Sequence, residues 1–251
     1  MWPYPKVVAH RGGGILAPEN TLAAMRCGLR YGFHAVEFDV MLAADGIPIL
    51  MHDAQFGRTV PGTGKVADFT ALQLSGMDAG SWFGPEFAGE RVPTYREAAD
   101  FCRVNAIWMN VEIKPAPGFE RQTGAAVAAL SRTFFAAELA SAAGPPLLPL
   151  FSSFSFDALL AAKDAVPAIP RGYLVDRIPA DWRNSLEALG AVALHVNHKH
   201  LCAERAAEVK SAGYGLFCYT VNDPVRVREL LSWGVDAFCT DRLDLIGPEI
   251  R

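Results

Sequence analysis

The sequence predicts a single α/β domain over residues 1–251, folded as a closed (β/α)8 barrel of the TIM type with a small insertion. Short apolar runs alternate with segments of helical spacing along the whole chain, which is typical of a parallel sheet. Eight such runs, in a chain near the roughly 250 residues of this barrel, favour closure over an open doubly wound sheet. A dinucleotide-binding sheet would need G-x-G-x-x-G after its first strand, and Arg11-Gly12-Gly13-Gly14-Ile15-Leu16 does not supply that pattern.

The predicted strands and helices follow one another closely. Strands are expected at residues 7–11, 35–41, 110–114, 148–151, 172–175, 193–197, 216–221 and 237–241. Helical spacing of apolar residues predicts helices at, among other places, 20–31, 94–104, 121–139, 156–165, 203–213 and 224–233. The small, proline-rich run 136–149 predicts a long loop after a helix.

One further strand-like run, 47–53, does not fit this alternation. Only residues 42–46 separate it from the strand at 35–41, which is too short for the helical crossover that parallel neighbours need. Asp45-Gly46 is instead a two-residue hairpin signal. A hairpin centred there pairs residues whose numbers sum to 91, so Asp39 lies opposite His52 and His52 returns to the height of the strand ends. Were 47–53 a barrel strand, one of the others would not be.

Residues 54–93 are rich in Gly and Pro and lack sustained helical or strand periodicity. A stretch of this length inside a barrel is usually an insertion close to the active-site face. It is expected to form a small lid or subdomain after the His52 strand rather than a separate folding unit.

Composition and charge exclude some classes of protein. The formal net charge of -4 comes without the basic stripe of a nucleic-acid binder, so no nucleic-acid partner is expected. The five cysteines form no C-x-x-C pair, and we expect buried reduced thiols in a cytoplasmic protein. The start of the chain shows no signal-peptide pattern, and no apolar run is long enough to cross a bilayer, so no stable membrane association is expected. No pattern indicates a particular oligomeric state.

Charged residues at strand ends are the strongest pointer to chemistry, because strand interiors rarely hold charges. Residues two apart in a strand face the same side, so Glu37 projects with Asp39, and Glu112 projects with Lys114. In this barrel the inward-facing residues at the carboxyl ends of the strands form the active site. Three carboxylates meeting there need a cation, or some must stay protonated. All-oxygen ligands predict one divalent metal ion, Mg²⁺ or Ca²⁺, at Glu37, Asp39 and Glu112. The structural alternative is a salt-bridge network with Arg11 and Lys114.

His10 and His52 are the candidate catalytic acid and base, because each lies at a strand end beside these carboxylates and imidazole titrates near neutral pH. The alternative for each is a hydrogen-bonded core histidine. Arg11 and Lys114 are predicted to neutralise a bound phosphate. The glycines at 12–14 would let the backbone approach that phosphate closely. No G-K-[ST] follows them, so they do not form a P-loop.

A series of short motifs runs from residue 10 to residue 241. It consists of His10-Arg11-Gly12, Pro18-Glu19-Asn20-Thr21, Glu37-Phe38-Asp39-Val40, His52-Asp53, Glu112-Ile113-Lys114, Ser153-Phe154, Thr220-Val221-Asn222 and Thr240-Asp241. Each motif is unspecific alone, but their order and spacing resemble the glycerophosphodiester phosphodiesterase family.

The resemblance implies a metal-dependent hydrolase of lipid and glycerol metabolism, built on a barrel with an insertion after His52. It implies hydrolysis of a small-molecule glycerophosphodiester to glycerol 3-phosphate and an alcohol. It further implies a metal at the three carboxylates, with the two histidines as the acid–base pair. Segments of the insertion that carry the likeness are Arg58-Thr59, Asp78-Ala79-Gly80 and Trp82-Phe83.

One position departs from the family pattern. Many members carry Trp directly before Thr-Val-Asn, where this chain has Tyr219. Tyr219 is expected to flank the alcohol part of the substrate. Trp82, with Phe83 and Phe87, is predicted to line the substrate mouth, and packing of the lid onto the barrel is the equal alternative.

Other polar residues receive structural interpretations. Asn20 is predicted to cap the helix that begins at Thr21. Glu19 either touches the site or has a structural role. His195, His198 and His200 look like a metal motif, but two of them fall in a loop, and no metal is expected there.

Alternative functions remain open at this point. A related barrel phosphodiesterase of the phospholipase D-like or sphingomyelinase D-like kind would act on intact phospholipids, although such proteins are usually secreted and disulfide-bonded. A metal-dependent amidohydrolase would need His-x-His on the first strand, which this chain lacks. A non-catalytic phosphate-ligand binding barrel is a candidate from a different class, and the two histidines and three carboxylates argue against it.

Overall fold

A computed structural model describes residues 2–141 and 148–250. Its strands are β1 (Val7–Ala9), β2 (Ala35–Leu42), β3 (Pro48–Leu50), β4 (Trp108–Ile113), β5 (Leu150–Ser153), β6 (Arg171–Val175), β7 (Ala193–Asn197), β8 (Gly215–Tyr219) and β9 (Ala237–Thr240). All except β3 run parallel, in the order β1-β9-β8-β7-β6-β5-β4-β2, and β1 also pairs with β2 to close the sheet. The predicted (β/α)8 barrel is therefore confirmed, with one extra strand.

The helices lie between the strands, as a parallel barrel requires. They are α1 (Leu22–Arg30), α2 (Ala71–Leu74), α3 (Tyr95–Val104), α4 (Glu120–Phe134), α5 (Ala136–Ala140), α6 (Phe156–Ala165), α7 (Trp182–Leu189), α8 (Ala203–Ser211) and α9 (Pro224–Ser232). The predicted helix 121–139 is divided at Phe135 into α4 and α5. The loop predicted at 136–149 was wrong over α5, and its residues 142–147 lie outside the described part of the chain.

Two apolar layers leave one end of the barrel free for polar side chains. Outward-facing strand residues such as Phe38 and Val111 pack against the helices in the main core. Inside the barrel, a second apolar cluster includes Val8, Trp108 and Phe217. Tyr4 of the N-terminal segment stacks on Trp108 with ring centroids 4.7 Å apart, at the amino ends of the strands. The polar site is therefore confined to the carboxyl ends.

The hairpin between β2 and β3 is present, but its predicted register was wrong by one residue. Val40 pairs with Leu50 and Leu42 with Pro48, so paired residue numbers sum to 90 rather than 91. The loop has three residues, 44–46, and closes with Gly46 at φ +75°. As a result the Asp39 carbonyl accepts from the Met51 N–H at 3.2 Å, and His52 lies one position beyond this pair.

The insertion 54–93 carries little regular structure, as predicted. It contains α2 and two short 3₁₀ turns, Val66–Asp68 and Pro85–Phe87. Its buried residues Val60 and Leu74 form a small core with Met41 and Ile49 of the β2–β3 hairpin. This packing holds the insertion beside the hairpin that carries His52. Its action as a lid stays a prediction.

The cysteines bear on the redox state of the protein, and the helices bear on membrane insertion. Four cysteines are buried, Cys202 is exposed, and all five are free thiols in the described chain. Among the described residues, the helices are too short or too polar to cross a bilayer.

Candidate active site

The predicted carboxylates converge at the carboxyl ends of β2 and β4. Asp39 pairs in register with Glu112, and Glu37 lies two residues before Asp39 on the same face. One oxygen from each of these residues lies within 4.8 Å of the others. Glu37 and Asp39 are buried, and the Glu112 side chain is 13 % exposed. The arrangement fits a cation, because the Glu37 Oε1 atom is buried and has no hydrogen-bond partner among the described residues.

Burial and mutual repulsion perturb the acidity of this cluster. Burial, followed by the charge of Asp39, raises the pKa of Glu37 to about 7 and that of Glu112 to about 8. Burial also opposes ionisation of Asp39, but the charges of Lys114 and Arg11 outweigh it and hold the Asp39 pKa below its usual value. Near neutral pH, Glu112 is therefore mostly protonated and Glu37 partly so, unless a cation replaces those protons.

The loop after β1 wraps around these carboxylates. Arg11 adopts the left-handed conformation, with φ +51°, and its backbone N–H donates to Glu37 Oε2 at 3.0 Å. Asn20 is also left-handed, with φ +57°. Its side-chain amide donates to Asp39 Oδ2 at 2.8 Å and its Oδ1 accepts from the Asp39 N–H at 3.0 Å. The predicted cap role of Asn20 was wrong, since Thr21 caps α1 by accepting from the Ala24 N–H.

Two basic side chains, which were predicted to neutralise a bound phosphate, lie against the cluster. Lys114 Nζ is 3.3 Å from Asp39 Oδ1 and 3.5 Å from Glu112 Oε1. Arg11 Nε is 3.6 Å from Asp39 Oδ2, and Arg11 Nη1 donates to Glu19 Oε1 at 2.8 Å. Both ion pairs centre on Asp39, so the alternative salt-bridge network leaves the buried Glu37 Oε1 without a partner.

His10 follows β1 and forms a pair with Asp241, which follows β9. The His10 Nδ1 atom is 2.5 Å from Asp241 Oδ1, and His10 Nε2 is 3.8 Å from Glu37 Oε2. Asn222 fixes the aspartate by donating to Asp241 Oδ2 at 2.9 Å. Burial opposes protonation of His10, but the hydrogen bond to Asp241 and the nearby negative charges outweigh it and raise the His10 pKa.

His52 forms the same kind of pair with its neighbour Asp53. The His52 Nδ1 atom is 2.6 Å from Asp53 Oδ1, and Arg58 Nε donates to Asp53 Oδ2 at 2.6 Å. Burial and the charges of Arg11 and Lys114 lower the His52 pKa, although Asp39 and Asp53 oppose that change. Both histidines therefore have Nδ1 held by an aspartate, which leaves Nε2 available for proton transfer.

Arg58 connects the insertion to both sides of the site. Its Nη1 and Nη2 donate to the two oxygens of Glu19 at 2.6 and 2.7 Å. Glu19 in turn accepts from Arg11, while Arg58 Nε holds Asp53. The chain Arg11–Glu19–Arg58–Asp53–His52 thus joins a predicted phosphate-binding residue to a predicted catalytic histidine. Glu19 thus contacts a candidate site residue, Arg11, and it does so through an ion-pair network that also has a structural role.

The two predicted aromatic substrate residues lie on different parts of the chain, Tyr219 on β8 and Trp82 in the insertion. Tyr219 ends β8, and its hydroxyl donates to the Val175 carbonyl at 2.9 Å. Trp82 is 41 % exposed on the insertion, where its indole N–H donates to the Ala79 carbonyl at 2.9 Å and its ring packs on Phe83. In the described chain, no hydrogen bond or ion pair links Trp82 to the carboxylates or histidines, so its substrate role stays a prediction.

The three histidines at 195–200 are divided between β7 and the 3₁₀ turn that follows it. His195 lies inside the barrel, stacked on Phe217 at 4.5 Å, and burial lowers its pKa to about 3. His198 and His200 lie in a separate 3₁₀ turn. Among the described residues, the acidic trio and not this cluster forms the group with metal-ligand spacing.

The sequence reasoning assigned no role to Asp241, Asp53, Arg58 or Asn222, which support the histidines. A signal for Asp241 was present in the sequence, because Asp241 is the charged last residue of the strand predicted at 237–241. The strand-end rule that selected His10 would therefore have selected Asp241 as well. The contacts of Arg58 span 39 residues to Glu19 and had no signal in the spacing.

Comparison with known proteins agrees with this geometry. The sequence profile of the Glycerophosphoryl diester phosphodiesterase family matches residues 10–245. A glycerophosphodiester phosphodiesterase of Caldanaerobacter subterraneus subsp. tengcongensis is 31% identical over 240 residues, which cover 94% of this chain and 93% of the relative. A glycerophosphodiester phosphodiesterase of Bacillus subtilis is 30% identical over 253 residues, covering 95% and 84%.

Comparison with solved structures agrees with the family match. An Oleispira antarctica phosphodiesterase, determined in complex with the product sn-glycerol-3-phosphate, superposes with a TM-score of 0.87 and 37% sequence identity. The match covers 96% of this chain and 95% of that one. The chain therefore belongs to the glycerophosphoryl diester phosphodiesterase family, and it is an enzyme, a phosphoric diester hydrolase.

Proposed function

We propose that the enzyme hydrolyses glycerophosphodiesters to glycerol 3-phosphate and an alcohol, with one divalent metal ion and two histidines. The observation that carries the proposal is the convergence of three carboxylates with two histidines, each fixed at Nδ1 by an aspartate. The product-bound Oleispira antarctica relative supports the same product for this chain.

Glu37, Asp39 and Glu112 would hold the metal ion. Their all-oxygen donor set suits a hard cation, Mg²⁺ or Ca²⁺, and the unpartnered Glu37 Oε1 supplies a free ligand atom. When bound, such an ion supplies Lewis-acid polarisation of a phosphoryl oxygen. Asn20 positions Asp39 for this role, because it holds both the carboxylate and the backbone of that residue.

Arg11 and Lys114 bind and orient the phosphate. Arg11 Nε is buried and has no hydrogen-bond partner among the described residues, so it has a donor to offer an anionic oxygen. The Lys114 side chain is 27% exposed and points its ammonium at the carboxylates, which places a positive charge at the mouth of the site. Together these cations offset the charge of the diester.

His10 and His52 carry the proton transfers. One accepts the proton of the attacking hydroxyl group at its Nε2 atom, and the other donates a proton from Nε2 to the oxygen of the departing alcohol. The attacking group is water or the glycerol 2-hydroxyl. Asp241 and Asp53 keep each ring in the tautomer and orientation that this exchange needs.

The glycerol part of the substrate gives selectivity, while the alcohol part is bound more loosely. A site built to hydrogen-bond a hydroxyl rejects an analogue without it, since the buried polar groups stay unpaired. The alcohol lies toward Tyr219, with Trp82 of the insertion at the mouth. We place this activity in the cytoplasm, which the five free thiols support.

The test is a set of kcat/KM values measured with and without chelator. Glycerophosphocholine and glycerophosphoethanolamine should be cleaved to glycerol 3-phosphate, and a dialkyl phosphate without glycerol should be a poor substrate. The substitutions Glu37→Ala, Asp39→Ala and Glu112→Ala should each abolish metal-dependent turnover while the fold stays intact by circular dichroism. Full activity after exhaustive chelation, or a preference for phospholipid vesicles, would contradict the proposal.

A further inference from the structure

Glu19 is a carboxylate held between two guanidinium groups at the edge of the site. Its Oε1 atom accepts from Arg11 Nη1 at 2.8 Å and from Arg58 Nη2 at 2.7 Å, and its Oε2 atom accepts from Arg58 Nη1 at 2.6 Å. The Glu19 side chain is 13% exposed. Burial opposes its ionisation, but the hydrogen bond from Arg58 and the charge of Arg11 outweigh burial and lower the Glu19 pKa. Glu19 therefore carries a negative charge near neutral pH.

Arg11 connects this negative charge to the proposed phosphate position. The Nε atom of the same guanidinium is buried, has no hydrogen-bond partner among the described residues, and lies 3.6 Å from Asp39 Oδ2. Nε and Nη1 are donors of one rigid plane, so an anion bound at Nε lies one guanidinium away from Glu19. That width is shorter than the Debye length of about 8 Å at physiological ionic strength, so Glu19 acts on the charge of the bound anion.

The substrate and the product of diester hydrolysis differ in charge. A phosphodiester carries one negative charge, whereas a phosphomonoester carries close to two near neutral pH, because its second pKa is about 6. The cations Arg11, Lys114 and Arg58 alone would therefore hold the product more tightly than the substrate. Because Glu19 pairs with Arg11 and Arg58, it offsets part of the positive charge that would attract the second negative charge of the product.

We propose that Glu19 is a specificity-determining residue, which makes the site selective for a phosphodiester monoanion over a phosphomonoester dianion. Repulsion by Glu19 grows with the charge of the ligand, so it weakens binding of the product more than binding of the substrate. Glycerol 3-phosphate is therefore released, and inorganic phosphate and other phosphomonoesters bind weakly. This inference rests on the proposed function and adds the residue that determines which anion the same site retains.

The test compares two inhibitors that share the glycerol part and differ by one charge. Glycerol 3-phosphate is a dianion at about pH 8. The glyceryl ester of methylphosphonate is a monoanion, with a carbon–phosphorus bond where the substrate carries its alcohol. Inhibition constants for both are measured against glycerophosphocholine with saturating Mg²⁺. Glu19→Gln, which removes the charge and keeps the side-chain size, should shift the ratio of the two constants toward the dianion by about three- to tenfold. Product inhibition in progress curves should strengthen accordingly.

Two further variants separate charge from structure. Glu19→Asp keeps the charge on a shorter side chain and should retain the wild-type ratio. The matched control is Glu90→Gln, because Glu90 also joins the insertion to the β1–α1 segment, accepting from Arg26 Nη2 at 3.1 Å and from the Ala23 N–H at 2.8 Å. Glu90→Gln should leave the ratio as in wild type.

Three outcomes overturn the role of Glu19 and leave the proposed function standing. They are an unchanged ratio in Glu19→Gln, an equal loss of affinity for both inhibitors in that variant, which would show a structural role, and a shift in Glu19→Asp as large as in Glu19→Gln. Failure of the wild-type enzyme to release glycerol 3-phosphate from glycerophosphocholine overturns the proposed function, and the role of Glu19 with it.

Discussion

A divalent ion and protons should compete for the same carboxylates, so metal affinity is expected to depend steeply on pH. Burial and the charge of Asp39 raise the pKa of Glu37 to about 7 and that of Glu112 to about 8. Metal binding requires both groups ionised, so it releases close to two protons at pH 6. Few sites therefore have both groups ionised at pH 6, whereas most do at pH 8.5. Apparent metal affinity should rise by about 10²–10³ over this range.

The same pKa values set the pH dependence of stability. A glutamate whose pKa is higher in the folded than in the unfolded protein stabilises the fold at low pH, and this stabilisation is lost as pH rises through the folded-state pKa. The metal-free enzyme should therefore become less stable as the pH rises from about 5 to 8. Saturating metal should oppose that loss, because it binds the ionised folded state, so the increase in Tm on adding metal grows with pH.

The assay is titration calorimetry of chelator-treated enzyme with Mg²⁺ or Ca²⁺, in two buffers of different ionisation enthalpy. Glu112→Gln should lower the proton release at pH 6 from about two to about one. Glu120→Gln, which changes an exposed carboxylate at the start of α4, is the control and should leave proton release unchanged. A metal affinity independent of pH, or binding without proton release, would refute the reasoning.

Three further predictions follow from the geometry. His52→Ala should lower kcat by about 10²–10⁴ on an ester with an alkyl leaving group, and near-normal turnover would remove His52 from the acid–base pair. Arg58→Ala should lower kcat/KM by up to about 10², with partial recovery in Arg58→Lys, because Arg58 positions two parts of the site; unchanged kinetics would show that the contact has no role in positioning. Gly28→Ala adds a Cβ 2.4 Å from the Gly12 carbonyl oxygen and should reduce both Tm and kcat. Gly124→Ala makes a similar clash between α4 and α6, away from the site, and should reduce Tm alone. Equal kcat values in the two variants would contradict this prediction.

The barrel could be predicted because its signal is repeated along the chain. Each barrel strand is a short apolar run, and the strand at 193–197 was placed at the bounds that β7 has. The carboxylate site was predictable for a related reason. Glu37 and Asp39 interrupt an otherwise apolar strand in which every residue is buried. Burying unpaired charges costs free energy, so two carboxylates in such a strand indicate a functional site.

The errors arose where a local signal has two structural solutions. Asp45-Gly46 suits a two-residue turn, but glycine also ends a three-residue loop in the left-handed conformation, and the choice shifts the register by one. Asn20 is of a residue type that often caps helices, but Thr21 is an equally good cap, and Thr21 is the residue that caps α1. That frees the Asn20 amide to bind Asp39, a contact that exists only once β2 lies beside the loop.

The two histidine–aspartate pairs differ in the sequence separation of their members. Asp53 is the neighbour of His52, so that pair forms locally. Asp241 reaches His10 across 231 residues, and it does so because β9 pairs with β1 at the seam where the sheet closes. The first strand also pairs with β2, which brings Glu37 within 3.8 Å of the same imidazole. Closure of the barrel thus joins the first and last strands at one candidate catalytic residue, His10. We therefore expect turnover to be lost when this seam opens, even where the helices stay folded.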